Sequence, residues 1–339
     1  MPLHTEIEFE RDICQHLAAH GWQYAEPGAE GDARGWDTPR ALYPPDVLAW
    51  LQASQAQAWA QLSKLHGAAA EAVVLERLRK ALDEQGTLAV LRHGVELVGL
   101  KAPLKLAQFK PALAMNAELQ ARYAANRLRV LRQVRTNHDD IIDLVLCLNG
   151  VPVATAELKT DFTQDVNRAI DQYRFERLPR PKGRAQAEPL LDFPRGALVH
   201  FAVSNRTVFM TTRLLGPATR FLPFNQGDGG GAGNPPNGQG HRTAYLWEQV
   251  WQRDSWLEII GRYLVARRNA QKQVEAVLFP RYHQLDATRK LVQAVLAEGP
   301  GHRYLIQHSA GSGKTNSIAW TAHFLSELHD AQDRKVFSS

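Results

Sequence analysis

The chain has 339 residues, 44% of them hydrophobic, and carries 40 basic and 35 acidic side chains, for a net charge of +5. This size suffices for one large or two medium cores, and the mild positive charge permits nucleic-acid binding without indicating it. No apolar run reaches the roughly 18 residues of a membrane span, and the N-terminus lacks the pattern of a secretory signal. Two cysteines within apolar stretches are typical of buried thiols, so we expect a cytoplasmic protein without a membrane partner.

Residues 1–265 are predicted to form one α/β domain, a sheet flanked by helices. Apolar periodicity predicts helices over 6–19, 45–67, 70–85, 116–126 and 165–175. Strands are predicted over 89–93, 95–99, 128–134, 197–204 and 206–212.

A hairpin in the middle of the chain carries the first functional motif. Asp143 opens an apolar run, Asn149-Gly150 supplies a turn, and a second apolar run ends in Glu157-Leu-Lys159. Strand side chains alternate, so Glu157 and Lys159 share a face, and the returning strand brings Asp143 beside them. Two carboxylates and an ammonium suit Mg²⁺-assisted hydrolysis of a phosphodiester, with Asp143 and Glu157 as the metal ligands.

A glycine-rich segment, 226–240, is predicted to be a loop, since neither a helix nor a strand suits its composition. The three tryptophans that follow, Trp247, Trp251 and Trp256, have the spacing of a helix that packs back on the sheet. We therefore place the domain boundary after them, with one domain over 1–265 and a second over 266–339.

The second motif is a phosphate-binding loop near residue 310. An apolar stretch from Tyr304 predicts a strand, the glycines of 311–313 allow backbone N–H groups to surround phosphate oxygens, and a helix is predicted from about Asn316. Lys314 would reach the β- and γ-phosphates of ATP, and Thr315 would bind Mg²⁺. His308 replaces the usual first glycine, which argues against a small GTPase or kinase and is compatible with superfamily 2 helicases.

Gln284 precedes this loop and follows an aromatic residue, Tyr282. A glutamine amide can form two hydrogen bonds with the N6/N7 edge of adenine. Together with the phosphate loop, this position predicts adenine recognition.

With these motifs in view, the chain resembles the restriction (R, motor and endonuclease) subunit of type I restriction-modification enzymes, as an N-terminal fragment. Beyond Asp143, Glu157 and Lys159, the likeness covers the segments 5–13, 21–22, 198–203, 210–212, 221–225, 231–236, 245–256 and 308–320.

The resemblance implies a fold and a set of site residues. The fold would be a PD-(D/E)xK nuclease-like mixed sheet flanked by helices, followed by the start of a RecA-like helicase domain of superfamily 2. Asp143, Glu157 and Lys159 would be the nuclease residues. The residues that contact ATP or its metal would be Gln284, Gly311, Ser312, Gly313, Lys314 and Thr315.

Two further assignments rest on the same resemblance. Related nucleases carry a Gln-x-x-x-Tyr pair on the helix after the catalytic strand, whereas here Gln172 and Tyr173 are adjacent. We expect this helix, with Arg168, Gln172 and Tyr173 as candidates, to face the DNA. Glu6 or Glu8 on the first helix is a candidate for a further metal ligand, with helix-dipole stabilisation as the alternative role.

The implied activity is Mg²⁺- and ATP-dependent cleavage of unmethylated foreign double-stranded DNA, together with methyltransferase (M) and specificity (S) subunits. The motor would be truncated after its first elements, so we expect weak nucleotide binding and no ATP hydrolysis by this fragment. Two alternatives stay open. One is a helicase-nuclease of DNA repair or another restriction class, and the other is a non-catalytic module that docks partner subunits.

Overall fold

The computed structural model describes residues 6–25, 35–111, 115–160, 165–330 and 334–337. The α-helices are α1 (Glu6–Ala19), α2 (Pro44–Ser54), α3 (Ala56–His66), α4 (Ala70–Gln85), α5 (Thr87–His93), α6 (Ala117–Ala125), α7 (Val166–Asp171), α8 (Arg253–Glu258), α9 (Tyr282–Glu298) and α10 (Lys314–Ser326). The strands are β1 (Leu128–Arg135), β2 (Ile141–Leu148), β3 (Val151–Lys159), β4 (Val199–Ser204), β5 (Val208–Thr211), β6 (Leu222–Pro223), β7 (Val265–Arg268) and β8 (Val274–Leu278). Turns of π-helix cover Gln172–Glu176, Leu246–Val250 and Ile259–Tyr263.

Six strands form one mixed sheet in the order β1-β2-β3-β4-β5-β6. The pair β3 and β4 is parallel, and the other neighbours are antiparallel. Every residue of β3 is buried, which fits a central strand with both faces covered. The predicted mixed sheet flanked by helices is thus confirmed, and this architecture is compatible with a nuclease-like fold.

The apolar stripe of α1 packs against β1 and β3 through Phe9, Ile13 and Leu17. The tryptophans Trp251 and Trp256 are completely buried, and both rings contact Phe201 of β4. The Trp-rich segment therefore packs on the sheet as predicted, and helices cover this side of the domain.

The helices predicted over 6–19, 70–85 and 116–126 are present as α1, α4 and α6. The strands predicted over 89–93 and 95–99 are wrong, because the first segment lies in α5 and the second makes only an isolated bridge between Val95 and Leu104. A short apolar run suits a buried helix as well as a strand, and periodicity alone does not separate them. The helix predicted over 45–67 is divided at Gln55 into α2 and α3.

The C-terminal part contributes a two-stranded sheet, β7-β8, and the helices α9 and α10. The predicted strand beginning at Tyr304 is not formed, and Leu305 within it is 93% exposed. Phe279, Leu285 and Trp320 belong to the same apolar cluster as the nuclease-like sheet. The boundary at 265 stays a prediction. Across the described ranges, no helix combines the length and the apolar character needed to cross a bilayer.

Candidate functional site

The hairpin of β2 and β3 places Asp143 opposite Glu157 by means of a β-bulge. Asn149 (φ 49°) and Gly150 (φ 78°) form the turn, and a side chain at Gly150 would collide with the Tyr43 carbonyl. The turn pairs Leu148 with Val151 and Cys147 with Pro152. If this register continued unchanged, Asp143 would lie opposite Ala156.

The register changes between Leu146 and Cys147, after which Leu146 pairs with Ala154 and Leu144 with Ala156. One more step along both strands brings Asp143 opposite Glu157. A shift of one residue exchanges the two faces of a strand, so the bulge decides that both carboxylates lie on the same side. The juxtaposition predicted from the sequence is therefore present in the structure.

Glu157 is fully buried, and its surroundings penalise its charge. Burial, and secondly the neighbouring charge of Asp143, raises the pKa of Glu157 well above its usual value, although Arg177 lowers it. The Arg177 Nε donates to Oε1 of Glu157 at 2.9 Å, while Oε2 is buried with no hydrogen-bond partner in the described part of the chain. Asp143 Oδ2 accepts from the Leu158 backbone N–H at 2.8 Å. A bound cation would offset the repulsion between the two carboxylates.

Lys159 lies on the same face of β3 and is 5% exposed. Its Nζ donates to Oε2 of Glu6 at 3.1 Å and to the Leu158 carbonyl at 2.8 Å. Glu6 thus pairs with the lysine, and the metal-ligand role considered for Glu6 or Glu8 stays a prediction.

The acid of α1 that faces Asp143 is Glu10, which the sequence analysis did not single out. Glu10 is 4% exposed, and its carboxylate pairs with Arg132, with Nη2 and Oε2 3.2 Å apart. Burial raises the pKa of Glu10, and the nearby charge of Asp143 contributes to that rise. A signal was available, because Glu10 occupies the helical stripe that also holds Ile13, Cys14 and Leu17.

The helix after β3 carries the three candidates for DNA contact, and they differ in burial. Tyr173 is completely buried, and its hydroxyl bonds to Thr155 Oγ1 at 2.7 Å, which also lies 2.8 Å from His200 Nδ1. In this structure the ring packs inside the domain, so contact with DNA would require Tyr173 to leave these partners, and its DNA-facing role stays a prediction. Arg168 is exposed and pairs with Glu176, and Gln172 is half-buried, so their contact with DNA stays a prediction.

The site suits Mg²⁺ by the chemistry of its donors. In the described ranges, no group of three or more His, Cys, Asp or Glu side chains is arranged to hold a metal ion. Mg²⁺ is commonly held by only one or two carboxylates together with waters and substrate phosphates. Asp143 and Glu157, with the unpartnered Oε2 of Glu157, meet that requirement.

The glycine loop at 311–313 directly precedes a helix. Gly311 (φ 72°) and Gly313 (φ 81°) are left-handed, and α10 begins at Lys314, two residues before the predicted start. The Lys314 Nζ donates to the carbonyls of His308 and Ser309, at 3.2 and 3.0 Å. The ammonium is therefore held by loop carbonyls, which a phosphate would have to replace.

Gln284 contacts this loop directly, as its Nε2 donates to the carbonyls of Ser312 and Gly313 at 3.1 and 3.0 Å. Its Oε1 accepts from the Arg281 backbone N–H at 2.8 Å. The side chain is 3% exposed, and both ends of its amide are used within the protein. In this conformation Gln284 supports the loop, so adenine recognition would require its amide to leave these partners.

The sequence matches a known protein family over a region that includes the acidic site. Residues 4–218, more than half of the chain, match the family described as type I restriction enzyme R protein N terminus. The chain belongs to this family, whose enzymes are restriction endonucleases. No curated protein matches the sequence.

Proposed function

We propose that the chain comprises the Mg²⁺-dependent DNA endonuclease domain and the beginning of the ATP-dependent translocase of a type I restriction enzyme. The substrate would be unmethylated foreign double-stranded DNA, and the partners would be the M and S subunits. The observation that carries the proposal is the bulge-defined pairing of Asp143 with Glu157, with Lys159 on the same face. Family membership supports the assignment to restriction over DNA repair.

In the proposed mechanism, Asp143 and Glu157 hold the metal and Lys159 acts on the nucleophile. When bound, Mg²⁺ would polarise the phosphate and acidify a water. The backbone bond from Leu158 to Asp143 fixes the orientation of that carboxylate. Lys159 is buried beside them, where its charge would orient the attacking water and stabilise negative charge that develops on the phosphate.

Arg177 has a supporting role in this site. Its guanidinium binds Glu157 through Nε and reaches Asp140 through Nη1 at 3.5 Å. Because it neutralises one oxygen of Glu157, it keeps the other available for a cation. We infer that it orients Glu157 without contacting the substrate.

The loop 311–313 and Lys314 are proposed to bind ATP. The backbone N–H groups at the start of α10 would receive the phosphates, and Thr315, which is exposed, would reach the nucleotide's Mg²⁺. The proposal rests on the loop and helix, since the strand predicted to precede them is not formed.

The test measures DNA cleavage and nucleotide binding separately, in an R subunit assembled with M and S subunits. Asp143→Ala should abolish cleavage of closed circular DNA, and Lys159→Ala should slow it by about 10²–10³-fold, because each removes charge from the reacting centre. Both should leave nucleotide binding intact. Lys314→Ala should weaken ATP binding while the metal site is unchanged.

Glu118→Ala is a matched control, since this carboxylate is largely exposed and pairs with Arg122 on its own helix. It should cut DNA as the wild type does. Undiminished cleavage by Asp143→Ala would refute the nuclease assignment. Unchanged ATP binding by Lys314→Ala would refute the role of the loop.

A further inference from the structure

Gln133 adopts a left-handed backbone conformation in the middle of β1, with φ of 49°. Such a conformation is uncommon for a residue other than glycine, and it is strained when the surroundings enforce it. The consequence is visible in the contacts of its neighbour. Arg132 and Gln133 are consecutive, yet both side chains bind the same carboxylate, that of Glu10. In a regular strand they would point to opposite faces.

The same conformation places the Gln133 amide between two acids. Its Nε2 lies 3.1 and 3.3 Å from the two carboxylate oxygens of Glu10 and 3.4 Å from Oδ1 of Asp143. Gln133 and Asp143 are cross-strand neighbours, since Arg132 pairs with Leu144 and Val134 with Ile142. The amide is therefore a neutral donor shared by two carboxylates from α1 and β2.

We propose that Gln133 is a positioning residue, which fixes the orientation of Asp143 for metal binding and holds Glu10 at a set distance from it. This inference rests on the proposed nuclease function. Asp143 is held at both oxygens, by Leu158 N–H at Oδ2 and by Gln133 at Oδ1. Each oxygen has a second lone pair free for a cation, so the ligand is oriented without being blocked.

The charge balance shows why an amide serves here. A cationic side chain between the two acids would compete with the metal, and a third carboxylate would add repulsion. An amide carries no net charge, so its removal changes the field of the site little and mainly releases the orientation of Asp143. Loss of such an orienting partner typically weakens metal binding by about 10–100-fold.

The experiment compares Gln133→Gly with Gln133→Ala by calorimetric titration of Mn²⁺ into the 339-residue chain. Both variants lack the amide, so both should bind Mn²⁺ about tenfold more weakly than the wild type. Glycine accepts the left-handed conformation without strain, whereas alanine does not. The denaturation midpoint of Gln133→Gly should therefore lie above that of Gln133→Ala, although their metal affinities agree.

Lys272 supplies a control, because it has a similar φ of 63° in the exposed β7-β8 turn. Lys272→Gly should relax the backbone there without changing Mn²⁺ affinity. Wild-type Mn²⁺ affinity in both Gln133 variants would overturn the inference, and so would recovery of affinity in Gln133→Gly alone. Asp143→Ala separates the two proposals, because unchanged Mn²⁺ binding in that variant would contradict the metal site itself.

Discussion

The two candidate sites of this chain are built in different ways. The acidic site draws residues from α1, β1, β2 and β3, and its central carboxylate, Glu157, is fully buried. The phosphate loop is a local structure whose Lys314 is exposed and donates to carbonyls of the same loop. Sheet register therefore fixes the first site in advance, whereas the second must exchange its own contacts for those of a ligand.

The largest expected effect concerns the support of the sheet. Trp256 is completely buried, and its ring centroid lies 6.4 Å from that of Phe201, which pairs with Ala156 next to Glu157. Trp256→Ala should lower the free energy of unfolding by about 3–5 kcal/mol, because it leaves a large cavity. Urea denaturation measures this loss.

Trp59→Ala provides the comparison, since Trp59 is only partly buried at the edge of the core. Its cost should be clearly smaller. A Trp256→Ala cost below about 1 kcal/mol would contradict the complete burial of this ring.

A second prediction uses the buried bond network beside Glu157. Burial lowers the pKa of His200 to about 3, whereas the unfolded value is near 6.5. The contribution of the neutral imidazole to the free energy of unfolding is therefore fully present above pH 6.5. That stability is lost as the pH falls towards 3, because only the unfolded state takes up the proton.

The variant His200→Gln lacks this proton uptake. As the pH falls from 7 to 5, the free energy of unfolding of the variant minus that of the wild type should rise by about 2 kcal/mol. Denaturation at the two pH values measures the change, and the other buried acids cancel because both proteins contain them. A pH-independent difference would show that His200 is protonated within the fold.

The sequence predicted the acidic hairpin better than its surroundings. The Asn149-Gly150 turn and the two apolar runs are local signals, and they suffice to bring Asp143 near Glu157. The bulge that decides their common face lies at Pro152, which has no backbone N–H for the ladder, yet this residue type alone does not show how the register changes. The left-handed conformation of Gln133 has no local sequence signal either, since residues other than glycine adopt it uncommonly.

Two polar side chains show what residue type alone leaves open. Tyr173 is a candidate for DNA contact through the family resemblance, and in the structure its hydroxyl bonds to Thr155 inside the domain. Gln284 is a candidate for adenine recognition, which stays a prediction, and in the structure its amide binds the loop carbonyls. A polar group can be satisfied within the protein as well as by a ligand, and sequence alone does not distinguish these cases.

The smallest effect is expected in the segment before the phosphate loop. Leu305 is 93% exposed, so Leu305→Ser should change the free energy of unfolding by less than about 0.5 kcal/mol. Urea denaturation tests this, with buried Leu146 of β2 as the contrast, where Leu146→Ala should cost about 2–5 kcal/mol. A large loss at Leu305 would mean that this stretch packs as a strand in solution.

The extra residue in β3 between the turn and Ala156 makes the hairpin sensitive to length as well as to chemistry. Removing Val145 of β2 alone, with the bulge kept, would keep every acid in the chain and yet set Asp143 opposite Ala156, so that Glu157 and Lys159 would lie on the other face. A compensating deletion of Ala154 on β3 would bring them back together. Paired single-residue deletions could thus switch the site off and on again without altering any of the three groups.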